Sequence, residues 1–424
     1  MQSNQLSLQR TDWLQAIEAD INLGPLAWIT LICIGLVIYH HLAYPLVLKW
    51  VAGCQEKTKV APVAIATWPE ITILMPVFNE AKYIESKIYN LGTLDYPHAK
   101  LRIIIGFDGC TDDSVQRAQL ALSMPENSHL NCQLVINQHN QGKVALINQL
   151  MQLITEQQGP LSEQWVALTD ASALISLDAL TLAAHHIAHH SHPGVSKQKP
   201  IGVICSHYQM LQPGSEGEAT YWRYQSNIKR QEAAFGATLG AHGALYLFRR
   251  DLFSPLASDT INDDFILPMQ IVAQGYRCLY EPEMNAVELE QASQHMDSQR
   301  RKRIAAGNTQ QLMRLHSILL GKAGIGVAFT FISGKALRVL MPFLMLASLL
   351  LSAWLSPQSW VFTSLLLIQL SLYALALLAP ILDPRCPKLV RTINYLVLGH
   401  CANLIGSTRY LCGLQPHKWQ KVEK

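Results

Sequence analysis

The stretch that decides the fold is ITILMPVFNE, residues 71–80, followed after a helical interval by LRIIIGFDGCTDD, residues 101–113. Each is a run of aliphatic and β-branched residues that stops at polar ones. Ile71–Val77 leads into Asn79 and Glu80, and Leu101–Phe107 leads into Asp108 and Gly109. A short, unbroken apolar run bounded by turn residues is the pattern of a strand buried on both faces. Working outward, Gln133–Asn137, Trp165–Thr169 and Ile201–Cys205 read as further strands. Glu80–Leu91, Asp112–Leu120, Val144–Thr155 and Leu177–His189 lie between them and read as helices. Strand and helix in alternation predict an α/β domain, a largely parallel sheet covered by helices on both faces. The chain has no internal repeat and no low-complexity tract.

Ligands in such sheets bind beyond the carboxyl ends of the strands, so the polar groups there are the candidate site. The first strand delivers Pro76, Asn79 and Glu80; Asn79 also suits a helix N-cap. The second delivers Asp108, placed to accept a hydrogen bond from a base or ribose, then Gly109 for a turn and Thr111 or Asp112 for a cap. The third leads to Asn140-Gln141-Gly142-Lys143, where Lys143 suits either a phosphate or a solvated helix start. The fourth delivers Asp170 and Ser172, a metal or sugar contact. Farther on, His242 and Gly243 lie in GAHGA, residues 240–244. Asp263 and Asp264 open a helix, where a carboxylate serves either the helix dipole or a sugar hydroxyl as general base. The basic run Gln299-Arg300-Arg301-Lys302-Arg303 suits a pyrophosphate, anionic lipid or a solvated face.

Composition narrows the class. Of 424 residues, 50% are hydrophobic and 15% charged, where soluble proteins have about 25% charged. With a mean hydropathy of +0.14, this excludes a disordered or fibrous chain and argues against a purely soluble enzyme. A net charge of +3 is too mild for a nucleic-acid partner. The 9 cysteines contain no CxxC pair, which excludes a disulfide framework or zinc ribbon and suits a reduced compartment. His185 with His189, and His186 with His190, have the i,i+4 spacing of a zinc pair, with His192 close behind. Their helix is expected to face solvent, which favours no metal there.

The apolar excess is concentrated. Residues 27–48 suit a membrane span, after an N-terminal segment, 1–26, that carries Asp12, Glu18 and Asp20 and is not a clean signal peptide. Residues 339–355 and 360–382 suit a hairpin of spans with an uncharged tip at Ser356–Ser359. Arg385, Lys388 and Arg391 after the hairpin, and Lys49, Lys57 and Lys59 after the first span, are cytoplasmic by the positive-inside rule. The intervening units are a linker, 49–68, and a cytoplasmic domain, 69–316. The flanking segment 317–338, with Lys322 and Lys335 around an apolar core, is expected at the interface. Residues 393–413 contain His400, Asn403 and Arg409 and suit an interfacial helix or one facing a protein cavity.

Six elements in order, ITILMPVFNE, FDGCTDD, NQGKVALIN, LTDASAL, GAHGALYLFRR and INDDF, resemble glycosyltransferase family 2. The branch resembled is the membrane-bound one that includes cellulose, hyaluronan and poly-N-acetylglucosamine synthases. The resemblance covers Ile71 to Arg303. It implies a GT-A fold and an inverting transfer from a nucleotide-diphospho-sugar, UDP-linked, to a lipid-linked or glycan acceptor in cell-surface polysaccharide synthesis. It implies donor contacts at Pro76, Asn79, Glu80, Asp108, Gly109, Lys143 and Asp170. Asp264 takes the catalytic-base position, with Asp263 beside it. His242, Gly243, Gln299, Arg300 and Arg303 are implied for the acceptor or pyrophosphate. It places the protein in the plasma (inner) membrane, among membrane lipids and other polysaccharide-synthesis proteins. There are two departures. Ser172 stands where the family's second metal-ligating Asp does, which weakens the expected Mg²⁺ or Mn²⁺ site. Lys302 and Arg303 stand where the family has Arg-Trp, which favours single transfer over a processive β-glycan synthase. A catalytically silent membrane subunit is the rival kept by Ser172 and opposed by Asp108, Asp170 and Asp264.

Overall fold

The computed structural model describes residues 24–54, 65–158, 164–191, 199–214, 216–291, 294–382 and 387–414. Asp12, Glu18, Asp20, Lys57, Lys59, His192 and Arg385 lie outside the described residues, as does the side chain of His190.

Eight strands form one sheet in the order β3-β2-β1-β4-β7-β6-β8-β5. The first four are β1 (Ile71–Val77), β2 (Leu101–Asp108), β3 (Cys132–Asn137) and β4 (Trp165–Leu168), and they run parallel. All seven residues of β1 are buried. Alternation along each strand divides the side chains between two layers. Ile71, Ile73 and Met75, with Ile103, Ile105 and Phe107, pack on one face. Leu74, Ile104, Val166 and Leu168 pack on the other. The first face is covered by α2 (Ile84–Gly92), α3 (Ser114–Ser123) and α5 (Ala179–Ser191); the second is covered by α4 (Lys143–Gln158) and α7 (Asp263–Ala273). Each large aliphatic side chain so buried stabilises the fold by ~1.5–3 kcal/mol.

The other half of the sheet departs from the expected parallel order. β7 (Tyr246–Arg249) runs antiparallel to both β4 and β6 (Ile201–Met210). β8 (Arg277–Glu288) is parallel to β6, and β5 (Ala173–Ile175) pairs antiparallel with β8 at the edge. The sheet is therefore mixed. α6 (Glu216–Glu232) and α8 (Gln294–Arg314) complete the domain.

Among the described residues, three helices are long and apolar enough to cross a membrane: α1 (Pro25–Cys54), α9 (Ile325–Leu355) and most of α10 (Trp360–Leu382), over Trp360–Ala379. The expected interfacial segment and the second span share the continuous helix α9, whose Val327 and Phe331 are buried in the second core layer of the α/β domain. The final apolar segment forms α11 (Lys388–Leu411). Its polar residues face protein. His400 Nε2 lies 2.9 Å from His41 Nε2 of α1, and Asn403 Nδ2 donates to the Arg338 carbonyl of α9. Gly406 packs against the backbone of Lys302 in α8, where a Cβ would come within 2.3 Å of the Lys302 oxygen. Ser407 meets Thr309 of α8 at 2.9 Å. Arg409 is exposed.

Candidate active site

The parallel strands end at one edge of the sheet, and the loops there are stitched to one another. Asn79 follows β1 with φ of +55°, a left-handed conformation that Asn tolerates better than most residues. In it, the side-chain oxygen accepts from Thr111 N–H at 2.8 Å, and Nδ2 donates to Thr111 Oγ1 at 3.1 Å. Glu80 N–H donates to Ser114 Oγ, and Asp112 accepts from Ala81 and Ser114. Gly109, at φ of +65°, lets the loop after β3 pass. A Cβ there would lie 2.3 Å from Asn140 N.

Asp108 is fully buried, and its two oxygens accept the N–H groups of Gln141 and Gly142 at 2.9 and 2.7 Å. It acts as the anchor of the 140–143 loop, with one backbone N–H on each carboxylate oxygen. Pro76 is buried inside β1, opposite Gly106, rather than lining the cleft. Gln299 is exposed on α8.

The loop that Asp108 holds delivers Lys143, the first residue of α4. Its Nζ is 2.8 Å from Asp170 Oδ1 and 3.6 Å from Asp263 Oδ2. Asp170 follows β4, and Asp263 and Asp264 form the first turn of α7. Four site residues from separate parts of the sequence thus converge. Burial pushes the Asp170 carboxyl up, but Lys143 outweighs it and holds the group below the usual carboxylate range. Asp264 goes the other way. Burial and the neighbouring Asp263 charge raise it to about 6, against the opposing pull of Lys143 and Lys229. Two adjacent carboxylates are thereby set to different tasks.

The wall of the cleft is the 239–243 loop. Lys229 Nζ donates to the Leu239 and Gly240 carbonyls, and Ala241 N–H donates to the Asp264 carbonyl at 2.8 Å. Gly243 abuts Asp170: a Cβ there would lie 2.8 Å from Asp170 Oδ2. His242 stacks on Tyr208 with centroids 3.8 Å apart and planes 5° from parallel, and Trp222 meets it edge-on at 5.0 Å. Burial, with Lys229 and Arg300 nearby, holds its imidazole well below the ordinary histidine value. The Arg300 guanidinium lies 5.5 Å from the Trp222 ring centroid. Arg303 is exposed on α8, within electrostatic range of Arg300 and of Asp264, Asp263 and Asp170.

Several residues here have weak sequence signals. Lys87 is fully buried on the apolar stripe Ile84, Lys87, Ile88, Leu91 of α2, and that misplacement is itself a signal. Its ammonium donates to Thr169 Oγ1 and to the Ala173 carbonyl, one on each side of Asp170 and Ser172. Burial lowers it to about 7 against the pull of Asp170 and Glu288. Tyr208 lies on β6 beyond the stretch Ile201–Cys205 read from the sequence, Trp222 on α6, and Glu288 on β8.

No cluster of three or more His, Cys, Asp or Glu residues that could hold a metal occurs among the described residues. The chemistry at Asp170 fits one carboxylate ligand, with one oxygen on Lys143. Ser172 is buried and faces Glu288. The donor set therefore suits an ion only if the substrate supplies further oxygens. On α5, His186 pairs with Glu281 of β8.

The model of the family described as Glycosyl transferase family 2 matches residues 72–256. The chain carries a glycosyltransferase domain. Its GT-A fold is also that of the mannosyltransferase PcManGT from Pyrobaculum calidifontis, in complex with GDP-Man and Mn²⁺. The likeness has a TM-score of 0.68 at 22% identity and covers 91% of this chain and 100% of that one. A weaker likeness is to S. aureus TarS 1-349 in complex with UDP-GlcNAc, at TM-score 0.38 and 14% identity, covering 81% of this chain and 92% of that one. No curated protein matches the chain. Lys143, Asp170 and Asp263 come together at the ends of β4 and α7, and residues 72–256 of the family match include the first two of them.

Proposed function

We propose that the protein is a membrane-anchored, inverting glycosyltransferase that moves one sugar from a nucleotide-diphospho-sugar to a membrane-associated acceptor. The observation that carries this reading is the convergence of Asp264, raised to about 6, with the Lys143–Asp170 pair at 2.8 Å. A general base works best with a pKa near the working pH, and a departing diphosphate needs fixed positive charge. Asp264 takes the proton of the acceptor hydroxyl as its oxygen bonds to the anomeric carbon. The bond from that carbon to the diphosphate oxygen breaks, and the nucleoside diphosphate leaves with the electron pair. Lys143 meets the developing charge from one side, and Arg300 and Arg303 from the other. Asp108 serves the donor through the loop it anchors. A divalent cation held by Asp170 and the donor's diphosphate oxygens would add Lewis-acid stabilisation of the leaving group.

Lys49, Lys388 and Arg391 against the uncharged tip at Ser356–Ser359 support a cytoplasmic catalytic domain in the plasma membrane, where nucleotide sugars are made available. The three candidate spans among the described residues are few for a glycan channel, which supports single transfer. Full-length protein in membranes is assayed for nucleoside-diphosphate release from a panel of UDP- and GDP-sugars. The reading expects release with at least one donor. Absence of release and of donor binding across the panel leaves the silent-subunit reading in its place.

A further inference from the structure

The helix that carries Asp264 starts without a side-chain cap. Asn262 occupies the N-cap position of α7, directly before Asp263 and Asp264, yet its side chain makes no capping hydrogen bond. A capping side chain ordinarily fixes where the first turn begins. Here the Asn262 side chain turns to another helix. Its Nδ2 donates to the Ile304 carbonyl of α8 at 3.4 Å. Gly307 of α8 leaves the space it needs, since a Cβ there would lie 2.2 Å from Asn262 Nδ2.

α8 also holds the residues before Asn262. Gln310 is fully buried, and its amide reads the backbone in both directions. Oε1 accepts the Ile261 N–H at 2.9 Å, and Nε2 donates to the Asp259 carbonyl at 2.8 Å. Arg314, one turn on, donates to Thr260 Oγ1 at 3.1 Å and pairs with the Asp259 carboxylate. Residues 307, 310 and 314 follow the three-and-four spacing of one helix face. Another face of α8 packs on α11, through the Lys302 carbonyl at Gly406 and Thr309 at Ser407. On the far side of the first turn of α7, the Asp264 carbonyl accepts from Ala241 at 2.8 Å. The turn that presents Asp264 is thus pinned at both ends, and the amide of Gln310 supplies two of the bonds at its entry. An aliphatic side chain would fill the same buried volume, but it would leave the Ile261 N–H and the Asp259 carbonyl without those partners.

We propose that Gln310 is a positioning residue for the transfer: by holding the segment 259–261 it sets where the Asp264 carboxylate stands relative to the acceptor hydroxyl. The proposal rests on the reading of Asp264 as the base. A base must come within about 2.6–3.2 Å of the atom whose proton it takes, and a misplacement of about 1 Å costs on the order of 10²-fold in rate. Gln310 itself touches neither substrate, so its effect should pass through Asp264 alone.

The test is a double-mutant cycle in full-length protein, read as nucleoside-diphosphate release with a donor that supports turnover. Gln310→Met should lower kcat by roughly 10–10²-fold with donor affinity by calorimetry unchanged. In the Asp264→Asn background the same substitution should cost nothing further, because the group it positions can no longer take a proton. Gln310→Glu keeps the shape and the acceptor for Ile261 but loses the amide donor, and it should fall between wild type and the Met variant. If Gln310→Met does not fold, the Glu variant closes the cycle. Thr309→Val loosens the packing of α8 on α11 without touching the segment, and it should keep wild-type kcat. A Gln310→Met protein with lowered Tm and wild-type kcat has lost only a structural bond, and overturns the proposal. So does a full additional loss in the Asp264→Asn background, or an equal loss from Thr309→Val. Wild-type turnover in Asp264→Asn alone brings down the reading of the base and the proposal with it. A slow Asp264→Asn with an additive cycle brings down the proposal only.

Discussion

The two sides of the cleft are built on different principles. On the side of β1, β2 and β3, protein groups hold several of the loop polar groups: Asp108 holds Gln141 and Gly142, Asn79 holds Thr111, and Asp112 holds Ala81 and Ser114. On the side of α7 and α8, charge is left in opposition. Asp264 is raised by Asp263, and His242 is kept from protonating. The first side is a shaped receptacle that exists without ligand. The second stores electrostatic free energy that substrates can release, which is where catalytic groups with shifted proton affinity are expected. Substitutions should therefore act on shape and binding on one side, and on rate and pH dependence on the other.

The largest effect is expected at Asp264. Asp264→Asn keeps the shape but cannot take a proton, so the rate of nucleoside-diphosphate release should fall ~10²–10⁴-fold with donor affinity preserved. Wild-type turnover in this variant would pass the role to Asp263 and erase the division between the two carboxylates. Next comes Lys143→Met, which removes the charge facing the leaving group and leaves Asp170 and Asp263 without their common partner. A loss of roughly 10²–10³-fold in kcat is expected. An effect confined to KM would move Lys143 to the binding side of the comparison.

A smaller effect, but a sharper one, is in pH dependence. Asp264 must be ionised to act, so kcat/KM should rise with pH through about 6 and level off above it. Asp263→Asn removes a raising charge and should move that limb to lower pH. The same shift acts on stability with the opposite sense. The folded state binds this proton more tightly than the unfolded one, so the contribution is full below 3.8 and is lost as pH rises through about 6. Asp264→Asn should therefore raise Tm at pH 7 more than at pH 4 in thermal melts. The smallest effect on chemistry is expected from Asp108→Ala. It orphans two N–H groups at about 1–3 kcal/mol each, lowering Tm and donor affinity while single-turnover rates with saturating donor stay near wild type. A collapse of that rate would contradict the receptacle role.

The parallel half of the sheet was legible because its strands are buried on both faces. Such strands are written as unbroken apolar runs, and Ile71–Val77 is reproduced to the residue. In the other half, β6 was legible as Ile201–Cys205, and β5, β7 and β8 were not. β5 has three residues, β7 has four, and β8 carries Pro282 and alternating polar residues as a strand nearer the edge. The charged cluster Lys143, Asp170, Asp263 and Asp264 was legible because polar residues at strand ends and helix starts have few other reasons to be there. Lys87 was missed for a physical reason: a lysine's role depends on what it is buried against, and that is set by helix packing. Asp108 adds a role that its motif did not announce, since its carboxylate holds the Gln141 and Gly142 N–H groups.

The central claim is a single displacement at the anomeric carbon with Asp264 as base, and the configuration of the first-formed product tests it most directly. An α-linked sugar nucleotide that supports turnover is given to the full-length protein, and the new anomeric proton is followed by NMR before mutarotation, with water or the native acceptor as nucleophile. The account predicts a β product from wild type, formed far more slowly by Asp264→Asn. An α product, or equal rates from both proteins, would contradict it.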